Sequence, residues 1–390
     1  MRKNICKVML FWMVLIGVVL SLPIRAEALA PKLMWQKKMN FNETNLGFAK
    51  DTGDVAVAMY GRGIIFFDKD GNVRSQVAPK VNRVIYHVRI TADGKYYDYT
   101  SSWKLEVINK MRKKNNEVRL HYVQKNGKEL WSRPLPFDPN TDINNTSQEI
   151  SPDNKYVAYV GSEEEGGDVE LWDIMSQKKL WLHKCPGSSS FEFSPDSKYI
   201  VVDWGGIVEL IDLAGNVLFK VDSGTFITSV ANDANYIATS EGTSDTGVRL
   251  LDKKGGIVLQ GGPDDITFVS ENGNRGVLWD KEGIKIYSLP DKTLLGIYPI
   301  RSEKRAIYLR PLVFSMNERY LVAAGNNMTA KSDNNLFVLD LTEKKMWQTM
   351  IPNLTTWQIH FTSDGRYLLI TGGGKLDTMT NSMLYYYQIY

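Results

Sequence analysis

Arg89, Glu149, Glu192 and His360 are the residues whose types and spacing first suggest chemistry in this 390-residue chain. Each stands four positions before an Asp or Asn that closes a recurring four-residue phrase, so a repeating fold would carry all four to equivalent points. A guanidinium, two carboxyls and an imidazole converging on one axis offer charge and directional hydrogen bonds to an oriented polar ligand. The plainer alternative is salt bridging between repeats. Trp204 and Trp357 stand in or beside loop signals, where an indole adds stacking area at low entropy cost, as at interface hot spots. Their plainer role is packing between repeats.

Other chemistries fit less well. His183 and Cys185 are two apart and could share one strand face, as zinc ligands do, but no second pair stands near them in sequence. Asp68-Lys-Asp70-Gly-Asn72 begins like a calcium loop. Its sixth position is Val73 rather than Gly and its twelfth is Pro79 rather than Glu, so a hairpin turn is the better reading. There is no Gly-x-Ser-x-Gly elbow, since Gly242-Thr-Ser-Asp-Thr-Gly247 is one residue out of register, and no Gly-rich phosphate cradle.

The elements that must position these residues come from the phrase itself. It occurs eight times, as Phe48-Ala-Lys-Asp51, Ile90-Thr-Ala-Asp93, Ile150-Ser-Pro-Asp153, Phe193-Ser-Pro-Asp196, Val230-Ala-Asn-Asp233, Val269-Ser-Glu-Asn272, Phe314-Ser-Met-Asn317 and Phe361-Thr-Ser-Asp364. The first position is apolar, the second small, the fourth Asp or Asn, and the steps between fourth positions are 42, 60, 43, 37, 39, 45 and 47 residues. Turn residues preset or tolerate the needed backbone geometry, and apolar runs such as Tyr156-Val-Ala-Tyr-Val160 follow. A third alternating run (Val169-Glu-Leu-Trp-Asp173) and a fourth with an aromatic (Leu180-Trp181) complete the unit.

Strands throughout at this period predict an all-β, eight-bladed β-propeller, with seven blades as the alternative if one copy lies outside the ring. The last repeat ends at its third strand, Met383–Ile389, while Lys32-Leu-Met-Trp35 has the pattern of a fourth. An N-terminal strand is therefore expected to close the ring and remove an exposed sheet edge.

Residues 1–28 read as a secretory signal peptide. Arg2, Lys3 and Lys7 precede the apolar run Val8 to Leu22, and Ala26-Glu27-Ala28 is an A-x-A cleavage pattern. Residues 29–390 are then expected to form one propeller domain. The chain carries 47 basic and 44 acidic residues; removal of the signal leaves 43 of each. That balance calls for neither nucleic acid nor an anionic membrane surface. Cys185 is left as a lone cysteine, so an intramolecular disulfide is not expected. Sequons at Asn42, Asn144, Asn145, Asn327 and Asn353 are set aside, because the short signal and absence of disulfides have a bacterial look.

Val169-Glu-Leu-Trp172-Asp173 resembles the strand that names WD40 repeats, and Asn126-Gly-Lys-Glu-Leu-Trp131 resembles the repeat of PQQ-like propellers. The resemblance covers nearly all of the chain after residue 28. It implies a ligand site over the central channel, at the face where inter-blade connections emerge. The same face is expected to carry Asp203-Trp204-Gly-Gly206. Quinone-dependent members of such families use a calcium ion and often a disulfide, so no cofactor is expected here. The expected function is an extracytoplasmic binding or scaffold propeller, monomeric and not inserted in the membrane after signal cleavage, with a protein, peptide or glycan ligand. The alternative is a propeller enzyme, a quinone-dependent oxidoreductase, lyase or lactonase, acting at the channel mouth.

Overall fold

Alternation of apolar and polar residues in runs of five to eight, cut by Asp- and Gly-bearing turns, gives strands and little else. The computed structural model describes residues 31–389 except 40–43, 60–61, 81–82, 104–118, 135–147, 161–166, 186–188, 223–225, 241–246, 263–264, 301–306, 328–333, 352–354 and 374–381. Among the described residues there are 32 strands and one short 3-10 turn, Asn232–Ala234. Residues 1–28, which the sequence reads as a signal peptide, lie outside them.

The strands pair as antiparallel meanders of four. Six are separate four-stranded sheets, and the fifth and sixth blades are joined into one eight-stranded sheet by a single bridge, Ser240 with Ile266. Eight blades result, one for each copy of the phrase. Lys32–Met39 lies antiparallel to Ser382–Gln388, as the outer strand of the last blade. Trp35 stacks on Tyr386 at 5.0 Å and 7°, and its Nε1 donates to the Lys69 carbonyl of the first blade at 2.8 Å.

Among the described residues eight apolar clusters lie between successive blades. The first to the second is filled by Ala56, Phe66, Tyr97 and Tyr99, and the circuit is completed by Leu369 and Tyr386 of the last blade against Phe48 and Val57 of the first. Second strands are buried on both faces, as in Val55–Met59, because each is covered by a neighbouring blade. Outer strands alternate exposed and half-buried, as in Lys179–His183.

The phrase builds the turn that ends each innermost strand. Ser194 Oγ donates to Asp196 Oδ1 at 2.7 Å and accepts the Tyr199 N–H at 3.0 Å. The same pair of bonds recurs at Thr91, Ser151, Ser315 and Thr362. The hydroxyl and the carboxylate, or the amide oxygen at Asn317, thus satisfy backbone groups that the tight turn leaves without strand partners. Neighbouring turns are also tied together: Asp51 N–H donates to the Ala92 carbonyl, Ser363 N–H to Lys50 and Asn232 N–H to Glu271.

Asp68 serves a different hairpin, between third and fourth strands. Its Oδ1 accepts the N–H groups of Asp70 and Asn72, as Asp212 does for Ala214 and Asn216. Gly71 is at φ +82, and a Cβ there would meet Trp35 Cγ at 2.8 Å. The turn therefore needs glycine for its left-handed backbone and for the indole above it.

Candidate functional site

The positions four before each phrase-closing residue fall at one level of the ring. Gly47, Arg89, Glu149, Glu192, Ser229, Phe268, Val313 and His360 face Ala56, Asp98, Ala158, Val201, Ala238, Val277, Val322 and Leu369 across the innermost pair of strands. An innermost strand has no inner neighbour, so some of its N–H groups need other acceptors. The side chain at this level in the preceding blade supplies one. Ser229 Oγ accepts the Val269 N–H at 2.9 Å, the Glu149 carboxyl takes the Phe193 N–H, and the Glu192 carboxyl takes the Val230 N–H. At Gly47 the next strand comes closer still: a Cβ there would lie 2.8 Å from Ile90 N. This level therefore has a structural duty, independent of any ligand.

It also borders a cavity of about 500 Å³ along the axis, within the usual range for small-ligand sites. Glu192, Ser229, Phe268, Val313 and His360 line it, with Ile266, Leu312 and Ile359 extending the apolar wall. Lys50, Pro195, Glu271 and Met316 line it too. These four occupy the third position of the phrase, so the turn end of the channel is where they gather. Lys50 of the first blade and Glu271 of the sixth form an ion pair that spans the opening.

The electrostatics are uneven. Burial raises the Glu192 carboxyl to about 8, with the Glu149 and Glu271 charges adding to the rise and the Val230 N–H and Lys50 opposing it. Burial also raises Glu149, offset by Arg89 and by the Phe193 N–H. Arg89 Nη1 stands 3.9 Å from Glu149 Oε1, with the two side chains 38% and 28% exposed. Asp98, paired across the strands with Arg89, is buried and raised to about 7 by desolvation, against the pull of Arg89. His360 is lowered to about 4 by burial and by Lys50. Its ring stacks on Phe48 at 5.6 Å, and its Nε2 is buried with no hydrogen-bond partner. At neutral pH the cavity thus presents a protonated carboxyl, a neutral imidazole and an apolar wall.

Of the residues singled out from sequence, Glu192 and His360 line the cavity, and Arg89 and Glu149 form an ion pair at the same level. Trp204 does not join them. It pairs with Ser189, three residues from Glu192 along the strand register and hence ~10 Å away along the channel. The loop face and the polar level are therefore at different ends, where the sequence had suggested one face. Trp204 packs into the cluster between the third and fourth blades, with Lys220 Nζ 4.2 Å from its ring. The backbone of Trp357 lies at a bulge in the strand Thr355–Phe361, and its side chain lies outside the described part. His183 bonds to Glu209 of the next blade, and Cys185 is buried in the same inter-blade cluster, so the two do not share a ligand face. Most of the sequons lie outside the described residues.

Lys50 and Glu271 were not recognisable as site residues from their types. The signal was their place: the third is the unconstrained position of the phrase. Sequence also missed Ser101, His121 and Glu129. Ser101 Oγ and His121 Nε2 are 2.8 Å apart, and His121 Nδ1 and Glu129 Oε2 are 2.8 Å apart. That is the bonding order of a nucleophile, base and orienting acid. Ser101 is 2% exposed and His121 1%, however, so no carbonyl carbon reaches the hydroxyl. The three side chains tie the second, third and fourth strands of one blade together, with Tyr99 stacked on the imidazole at 4.4 Å.

No family model matches the chain, and no curated protein matches it. In structure it is similar to the C-terminal WD40 domain of Sif2, with a TM-score of 0.60 and 11% identity over 91% of this chain and 97% of that one. At that identity the likeness shows the fold alone. The class is accordingly an eight-bladed β-propeller.

Proposed function

We propose that this chain is an extracytoplasmic binding propeller of the bacterial WD40/PQQ-like kind, and that it takes a protein or peptide segment into its central channel. The observation that carries this reading is the cavity of about 500 Å³, with an apolar wall facing Glu192 and His360. Phe268, Val313, Leu312 and Ile359 offer area to an apolar side chain. A glycan needs many hydrogen-bond donors and acceptors. Here the Thr228 hydroxyl already donates to the Thr267 carbonyl, and Ser229 Oγ already accepts the Val269 N–H. Peptide or protein is therefore favoured over glycan. The apolar run and A-x-A pattern before Leu29 support export, and the balanced charge after residue 28 supports a partner that is not a nucleic acid.

A photo-crosslinking residue at position 313, in protein expressed in its native envelope, tests the reading. A discrete adduct at position 313, absent when the same residue is placed at the exposed outer position Leu294, is expected. Equal labelling at both positions, or none at 313, removes the channel as the binding site. N-terminal sequencing of the same exported protein should begin near Leu29.

A further inference from the structure

Four groups with charge or titratable protons line the cavity: Lys50, Glu192, Glu271 and His360. Lys50 and Glu271 are paired with each other across the opening. Just beyond, Arg89 is set against Glu149 at 3.9 Å. His360, without a hydrogen bond at Nε2, is neutral and contributes no charge. Glu192 is the carboxyl left over. Among the groups that line the cavity there are thus two acids, Glu192 and Glu271, and one cation, Lys50, while Arg89, just beyond, is shared by Glu149 and Asp98.

We infer that the channel cavity is built for an organic monocation, an ammonium group set beside Glu192 with an apolar body lying against Phe268 and Val313. The inference rests on the channel-binding reading above and names the chemistry of its ligand. A lone carboxylate in a desolvated place is costly, and the protein alone can relieve the cost by holding a proton there. That is the state of Glu192, whose carboxyl titrates at about 8. An ammonium does the same work as the proton and adds a charge-assisted hydrogen bond. The Phe268 ring, on the inner strand two blades on from Glu192 and packed 6.1 Å from Phe314, gives the apolar body aromatic contact. Binding then exchanges one proton for one ligand cation at this carboxyl: the N–H⁺ of the ligand takes the place of the O–H, and the proton leaves to solvent.

The groups facing Glu192 fix the pH dependence. Glu149 lies on the preceding inner strand and Val230 N–H on the next, while Glu271 and Lys50 reach in from the turns of the sixth and first blades. Of these, Lys50 and Glu271 remain mutually paired. Affinity for an ammonium should rise about tenfold per pH unit from pH 6 to 7.5, and level off above 8.

The probes are 2-phenylethylammonium, its neutral isostere 2-phenylethanol, and a short peptide beginning with Phe in free and N-acetylated forms. Calorimetry of the full chain in two buffers of different ionisation enthalpy reads affinity and proton release together. The expected result is about one proton released at pH 7, at least tenfold weaker binding of the neutral isostere, and loss of the pH dependence in Glu192→Gln. If only the small amine binds, the cation comes from a free amine; if the unacetylated peptide also binds at least as well, a chain amino terminus is accommodated. Equal binding of the amine and its neutral isostere, or no proton release by the unmutated protein, overturns the inference. A crosslinked adduct at position 313 with no ammonium preference leaves the channel-binding reading standing without this one. The proton-release measurement needs no variant, so it stands even if Glu192→Gln folds poorly.

Discussion

His360 and Glu192 are held in the same cavity but are shifted in opposite directions, and their pH signatures separate. The folded chain resists protonating His360, which titrates near 4, while the unfolded chain protonates it near 6.5. Its contribution to stability is therefore present above about pH 6.5 and is lost as pH falls toward 4. His360→Gln should lose less stability than the unmutated protein between pH 7 and 4.5, in urea melts at each pH. Identical slopes would show that the imidazole is not desolvated. Glu192 has the reverse sign. Its folded value is raised, so its favourable share is complete below the ordinary carboxylate range and disappears as pH rises through 8. Glu192→Gln should gain stability relative to the unmutated protein between pH 5 and 9, since an amide oxygen can still accept the Val230 N–H. Neither signature was legible in the sequence. An offset of four from Asp placed both residues on inner strands, but their surroundings are supplied by other blades, from Glu149, Val230, Glu271 and Lys50 at Glu192 to Phe48 and Lys50 at His360.

At the scale of elements, the phrase is a turn device, and its second and fourth positions do the hydrogen bonding. Ser194 is fully buried and serves Asp196, Lys198 and Tyr199. Ser194→Ala leaves the Tyr199 N–H without its hydroxyl acceptor and should cost about 1–3 kcal/mol, read from chemical denaturation. A loss below a few tenths would mean that backbone bonds alone hold the turn. The fifth blade is the natural comparison. It has Ala231 in the second position, and there the chain forms a short 3-10 turn with Asp233 at φ 55. Ala231→Ser should therefore bring no comparable gain, because the carboxylate is not placed to meet the new hydroxyl. The small and acidic positions were readable from sequence, since few side chains make those local bonds. The spacing could not tell that the third position would point Lys50 and Glu271 at one another across the channel. The two residues are 221 apart in sequence.

For the whole molecule, what matters is that the ring is closed by two distant pieces of chain. Lys32–Met39 supplies the outer strand of the last blade, and Trp35 joins Tyr386 of that blade to Phe67 and Lys69 of the first. Deleting residues 29–40 removes this bridge and exposes a free edge along Ser382–Gln388. The truncated protein should melt several degrees lower and self-associate, as read by calorimetry and light scattering. An unchanged melting temperature in a monomeric truncation would mean that the strand adds nothing to closure. Trp35→Ala is the milder version, with a loss of about 2–4 kcal/mol from stacking and burial.

The sequence alone determined the number of blades, the turn chemistry and the terminal strand that completes the last blade. Each of these rests on local pattern: a hydroxyl and an acid two residues apart, a period near forty, and a fourth-strand motif missing at one end and present at the other. Only the tertiary structure decided which of the equivalent inner positions meet a cavity, which carboxyl lacks a cation, and that Trp204 belongs to blade packing. Those outcomes depend on what the neighbouring blades place opposite each side chain. Repeats bring such partners together through space, and their spacing along the chain carries no record of it.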